Sequence, residues 1–201
     1  MGQSGDWTET TLTRYRTIVA DPPWPLDWTM GKTRVNGRGE RHTIRKRKIG
    51  YERMAIEDIC AVPVAELAED DANLFLWTTD QFLIDGSARR VAESWGFRPA
   101  RLLIWAKRNF GLGNFPRPQH EPLLVCRRGR LDFNVRNVGS VQTWDHPRRY
   151  DGSKIHSAKP DAALDLIEQA SPGPYAELFA RRARFGWDYP IGDQALGGEA
   201  A

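Results

Sequence analysis

Residues 15–24 read YRTIVADPPW, and the fold turns on what this stretch becomes. "YRTIVA" (15–20) is apolar and β-branched, which predicts a buried strand. Two prolines then stop it, because each fixes its own φ and restricts the residue before it. Asp21 is thereby set at the carboxyl end of the strand. In open α/β sheets that is the end where ligands bind. Pro22 and Pro23 have no N–H, so their carbonyls are left to accept, and Trp24 adds a flat apolar face. An acceptor-rich notch with an aromatic wall suits an exocyclic amine, which brings two N–H donors and a π-ring. The stretch offers no nucleophile, no phosphate nest and no metal cluster. Its plain alternative is a turn in which Asp21 holds backbone amides.

Working outward, strands and helices alternate. "MAIEDICAVPVAELAEDD" (54–71) reads as helix in two pieces broken near Pro63, and "ANLFLWTT" (72–79) as a buried strand. "TDQFLIDGSARRVAESWGF" reads as one amphipathic helix that Thr79 or Asp80 can cap. "ARLLIWAKR" (100–108) and "PLLVCRRGR" (122–130) read as strands paired antiparallel across a Gly/Pro loop. Residues 132–156 are irregular. "KPDAALDLIEQAS" (159–171) opens a helix with proline near its first turn. "YAELFARR" (175–182) and "FGWDYPIG" (185–192) are the last strands. The pattern predicts an α/β fold: a mostly parallel sheet with an antiparallel edge hairpin and helices on both faces. One domain over 14–194 is expected, with a flexible segment at 1–13 and a frayed tail at 195–201.

The 201 residues are enough for one core, and 40% apolar with 27% charged is ordinary globular composition. Two distant cysteines, Cys60 and Cys126, give neither a disulfide framework nor zinc spacing, and fit a reducing, cytoplasmic compartment. The polar start has no signal-peptide core, and no apolar run is long enough to span a membrane. No histidine pattern such as HExxH is present, so no metal is expected. Charge is uneven. Residues 31–50 carry Lys32, Arg34, Arg38, Arg41, Arg45, Lys46, Arg47 and Lys48 against Glu40 alone, while the whole chain is only +3. A basic segment on an acidic body points to a polyanion, most simply nucleic acid. Its alternative is a solvated surface loop. Residues 25–50 show no sustained period and read as a long, mobile loop.

Asp-Pro-Pro-Trp after an apolar strand resembles the catalytic motif of amino-group methyltransferases. The wider pattern is similar to the MT-A70 family of N6-adenine methyltransferases. The resemblance continues through "YERMAIEDICAVPVAELAEDDANLFLWTT", "WGF" at 95–97, "IWAK" at 104–107, "HEPLLVCRRG" at 120–129, "HSAKP" at 156–160 and "AELFARRARFGWDYPIGDQ" at 176–194. Each piece is weak; the ordered set is specific. It implies a Rossmann-like class I methyltransferase fold in permuted order, with the catalytic strand early and the cofactor strand late. The cofactor implied is S-adenosylmethionine.

Carried over residue by residue, Asp21, Pro22, Pro23 and Trp24 match the catalytic tetrad. Ala20 and Asp21 lie beside the cofactor. Lys159 matches the lysine that meets the cofactor's carboxylate. Glu177, Phe179 and Arg181 match the late strand and its end, where the ribose and methionine parts are held. Asp193 and Gln194 match positions near the adenosine, although relatives often have Asn where Asp193 stands. Lys107 and His120 match the substrate side, and Arg45, Lys46, Arg47 and Lys48 would grip phosphates. The resulting expectation has Asp21 and the Pro22 carbonyl accepting the two amine hydrogens while Trp24 stacks on the base. The single-domain build resembles bacterial and phage members, which favours DNA over RNA. RNA adenine, cytosine N4 and a non-catalytic nucleic-acid-binding subunit are the alternatives. Family precedent suggests a homo- or heterodimer.

Overall fold

A computed structural model describes residues 13–26, 33–35, 39, 41–43, 53–111, 116–148, 150–153, 155 and 158–191. In chain order the first elements are β1 (Tyr15–Ala20), β2 (Thr33–Val35), β3 (Arg41–Thr43), α1 (Ile56–Cys60) and α2 (Val64–Leu67). Next come β4 (Ala68–Trp77), α3 (Asp80–Ile84), α4 (Ser87–Ser94), β5 (Arg98–Ala106) and β6 (His120–Arg128). β7 (Val141–Gln142), α5 (Asp161–Ala170), β8 (Tyr175–Leu178) and β9 (Trp187–Asp188) complete the described chain.

Seven strands form one sheet in the order β7-β5-β6-β4-β1-β8-β9. β1 is central and parallel to both neighbours, with Ile18 in register with Leu74 of β4 and Ala176 of β8. β6 is antiparallel to β4 and to β5, and so runs against the rest of the sheet. Both faces are covered, and the side-chain alternation of the strands shows why. Ile18, Ala20, Leu74, Leu76, Leu124 and Cys126 share one core with α1 and α4. Val19, Phe75, Trp77, Leu123 and Val125 share the other with Ala163, Leu164 and Ile167 of α5. A strand buried on both sides is apolar throughout, which is the sequence of "IVA" and "NLFLW".

Several local expectations are corrected. The stretch AEDD (68–71) extends β4 rather than ending a helix, because Tyr15 and Arg128 pair with Ala68 and Ala72 across the sheet. Cross-strand pairing there outweighs the helix propensity of Ala and Glu. The single amphipathic helix is two. Gly86 takes a left-handed φ of 80°, which a residue with a Cβ adopts only under strain, and the axis turns there. Neither Thr79 nor Asp80 caps α3 with its side chain; the Asp80 carboxylate bonds His120 instead. The β5–β6 hairpin is not the sheet edge, since β7 pairs with β5 through Ile104 and Trp105. β8 ends at Leu178, four residues short of the expected strand, where Phe179 takes φ 60°. Within the segment read as a featureless loop, β2 and β3 form a separate antiparallel ladder from Thr33↔Thr43 to Val35↔Arg41.

Candidate active site

The strand directions bring one set of residues to one end of the sheet. Asp21 follows β1, Thr78 follows β4, Lys107 follows β5 and Phe179 follows β8. His120 and Glu121 begin the reversed β6 and so meet them there. The Asp21 N–H reaches the Leu178 carbonyl at 3.4 Å, tying the exits of β1 and β8 together.

The prolines and Trp24 lock this exit. Pro22 and Pro23 are buried. The Pro22 carbonyl accepts the Trp24 N–H at 2.8 Å and the Pro23 carbonyl accepts that of Met54 at 3.0 Å. Trp24 is 5% exposed; its Nε1 donates to the Trp77 carbonyl at 2.9 Å, and its ring stacks on Phe82 at 4.8 Å. This corrects the reading of Trp24 as a wall for a base. A buried indole needs an acceptor for its N–H, and the end of β4 supplies one, so the ring clamps the turn and its face is taken by Phe82.

Asp21 sits in a chain of alternating charges. Its Oδ2 accepts from Lys159 Nζ at 2.7 Å, and Arg181 Nη2 lies 3.7 Å from the same oxygen. The Lys159 ammonium also lies 3.4 Å from Glu121 Oε2, while Glu121 Oε1 is bonded by Lys107. The two lysines cover the indoles of Trp77 and Trp105, at 5.5 and 4.7 Å from the ring centres. Asp21 and Lys159 are 13% and 16% exposed, so these charges are weakly screened. Burial works to raise the Glu121 carboxyl, but Lys159 and Lys107 outweigh it and hold it below the usual range. Burial likewise works against the Lys159 charge, and Asp21 and Glu121 outweigh it and push the lysine up.

Glu177, on β8 beside β1, lies apart from these pairs. Burial, reinforced by the Asp21 charge, raises its carboxyl to about 7. Its Oε2 is buried without a hydrogen-bond partner. An orphaned buried acceptor is costly unless a ligand meets it, and a sugar hydroxyl is a donor that would. The residue set therefore fits the ribose of S-adenosylmethionine. Phe179 is buried, and its N–H bonds the Ile191 carbonyl at 3.0 Å; its left-handed backbone turns the chain so that Arg181 comes back to Asp21. Ala20 is wholly buried, its methyl in the apolar core and its backbone paired with Leu76 and Leu178, so its side chain has no face for a ligand.

On the substrate side, Lys107 joins the cluster through Glu121. His120 does not: its Nε2 is 2.8 Å from Asp80 Oδ1, on the sheet face of Leu124 rather than that of Leu123. Arg45, Lys46, Arg47, Lys48, Asp193 and Gln194 lie outside the described residues. Glu121 went unassigned from the sequence. Its one mark in the sequence is a lone carboxylate opening the apolar run "PLLVC", a mark shared by many polar strand ends. Among the described residues, no group of three or more His, Cys, Asp and Glu could hold a metal ion. Nor is any helix there long and apolar enough to cross a membrane.

The MT-A70 family model matches residues 15–194. The type II methyltransferase M.MunI of Mycoplasma sp is 27% identical over 188 residues, which are 87% of this chain and 76% of that protein. A putative N(6)-adenosine-methyltransferase MT-A70-like protein of Medicago truncatula is 26% identical over 92% of this chain and 27% of its own length. An N(6)-adenosine-methyltransferase MT-A70-like protein of Arabidopsis thaliana is also 26% identical over 92% of this chain, but over 24% of its own length. The chain thus spans about a quarter of each of these plant relatives.

Proposed function

The chain belongs to the MT-A70 family, and from that premise we propose that it transfers a methyl group from S-adenosylmethionine to the exocyclic N6 of adenine in nucleic acid, with DNA as the substrate. The observation that carries the reading is the asymmetry of Asp21. Its ion pairs with Lys159 and Arg181 both fall on Oδ2. In this reading Oδ1 accepts an amine hydrogen.

Adenine N6 is a poor nucleophile because its lone pair is delocalised into the ring. S-adenosylmethionine, when bound, supplies an electrophilic methyl on a sulfonium. The chain's own residues have to align the amine and favour the positive charge that grows on it. Asp21 Oδ1 accepts one N6–H. The Pro22 carbonyl, which already takes the Trp24 N–H, keeps a second lone pair for the other. Both bonds strengthen as N6 becomes tetrahedral and cationic. Once N6 carries the methyl group, Asp21 or water would take its surplus proton. Glu177 would hold the ribose. Lys159 has three donors, so two carboxylate partners leave one for the carboxylate of the cofactor.

The basic segment 31–50 supports a polyanionic substrate, and a base in a duplex would have to be flipped out to reach Asp21. The preference for DNA goes with the likeness to the type II methyltransferase M.MunI, which spans 76% of that protein against about a quarter of the plant relatives. A cytoplasmic location and a dimer, homo- or heteromeric, go with this reading. The test is transfer of labelled methyl from S-adenosylmethionine to DNA and RNA side by side, followed by nucleoside analysis. N6-methyldeoxyadenosine is expected. Product in RNA alone would overturn the choice of DNA, and N4-methylcytosine would overturn the choice of base.

A further inference from the structure

Glu121 stands where it can govern Asp21 through Lys159. One ammonium, Lys159 Nζ, is shared between two carboxylates: Asp21 Oδ2 at 2.7 Å and Glu121 Oε2 at 3.4 Å. Lys107 fixes Glu121 from its other oxygen, so the carboxylate is held at both ends. The pair Lys107–Glu121 is about as enclosed as Arg181, at 24% and 25% side-chain exposure. A carboxylate that gives its charge wholly to one ammonium is a weaker acceptor for a third group. Dividing the ammonium relieves that.

We infer that Glu121 is a positioning residue: by sharing Lys159 with Asp21, it keeps Asp21 a strong acceptor for the adenine amine while holding the lysine in place. The inference rests on the reading of Asp21 as that acceptor. The groups facing Lys159 are Asp21 from β1, Glu121 from β6, Arg181 and Glu177 from β8 and its exit, and the Trp77 ring from β4. Lys107 from β5 acts through Glu121. Of these carboxylates Asp21 and Glu121 lie 2.7 and 3.4 Å from the Lys159 ammonium, while Glu177 acts from farther off, so losing Glu121 leaves Asp21 as the close partner of both Lys159 and Arg181, with Lys107 stranded beside them. Lys159 then closes fully on Asp21 and gives up its proton more easily.

The test compares the whole protein with Glu121→Gln and Glu121→Asp, reading kcat, KM for S-adenosylmethionine and the pH profile of kcat. Asp21→Asn is run beside them. Glu121→Gln should lower kcat about tenfold or more, since the acceptor that stabilises charge on N6 is weakened. Its KM for the donor should change less than kcat does, because Lys159 keeps its charge and a third N–H for the donor's carboxylate while the acceptor strength of Asp21 is lost. Its alkaline limb should move to lower pH, which a merely structural loss would not produce. Glu121→Asp keeps the charge and should keep the limb in place. A Gln variant with wild-type kcat and profile overturns the inference, as does a Gln variant that loses only donor affinity. If the Gln variant fails to fold by circular dichroism, the Asp variant decides. Its carboxylate is withdrawn by one methylene, so kcat should fall severalfold with donor KM unchanged, and a wild-type kcat overturns the inference. Full activity of Asp21→Asn would instead remove the reading on which it rests, and so separates the two failures.

Discussion

At Asp21 the two carboxylate oxygens have different neighbours, and that difference is where the chemistry resides. Lys159 and Arg181 approach Oδ2 and fix the side chain; in the proposed mechanism Oδ1 is the oxygen that accepts the amine hydrogen. Glu177 is the opposite case, a carboxylate whose buried oxygen has no partner and whose carboxyl is raised to about 7 by burial first and by Asp21 second. In the proposed role of acceptor for ribose hydroxyls it would work best ionised. Affinity for S-adenosylmethionine, measured by titration calorimetry, should therefore rise as pH climbs through about 7, and Glu177→Gln should flatten the dependence. The stability of the free protein should follow the reverse trend. The folded state holds this proton more tightly than the unfolded chain, whose value is near 4.5, so Glu177 costs stability progressively as pH rises from about 4.5 to 7. Glu177→Gln should gain in melting temperature over wild type across that window and hold the gain above it; a constant difference at all pH values would contradict the assignment. Asp21, Lys159 and Arg181 were legible because a strand exit and an ordered set of family-like motifs marked them. Glu121 was not, because one carboxylate before an apolar strand looks like any polar strand end until the reversal of β6 carries it across to Lys159.

Among the elements, the turn after β1 is held by tertiary packing more than by its prolines. The Trp24 ring lies on Phe82 of α3 and its N–H is spent on the last carbonyl of β4. Trp24→Phe keeps an aromatic ring but leaves the Trp77 carbonyl without its donor in a buried place, which should cost about 1–3 kcal/mol. The urea midpoint should fall while KM for nucleic acid stays near wild type. A base-stacking role would show the reverse, with KM raised and stability kept. The sequence displayed an aromatic beside an acceptor notch; it could not display which ring would cover it. The same limit explains the helix boundaries. Gly86 was visible as a residue, but its left-handed φ, which divides α3 from α4, belongs to the turn that Asp85 stabilises through the Ser87 N–H at 2.8 Å. The AEDD stretch has helical propensity and becomes strand only because β1 and β6 are there to pair with it.

On the scale of the whole molecule, one sheet order does the work of assembly. Setting β1 between β4 and β8 brings residues 21, 121, 159, 177 and 181 to one edge, although they are spread over most of the chain. The alternation of apolar residues revealed a doubly covered sheet, and the β5–β6 pair its antiparallel member. The outer strand β7 was hidden, since two residues carry no periodicity. The central claim joins these scales: this edge aligns an adenine amine on Asp21. Single-turnover methyl transfer to an adenine-containing DNA by Asp21→Asn, with S-adenosylmethionine binding measured on the same preparation, tests it most directly. The account predicts donor affinity within a few-fold of wild type and a transfer rate lower by about 10²–10³ or more, the loss expected when a preorganised charge-stabilising group is removed. A near-normal transfer rate in that variant would contradict it.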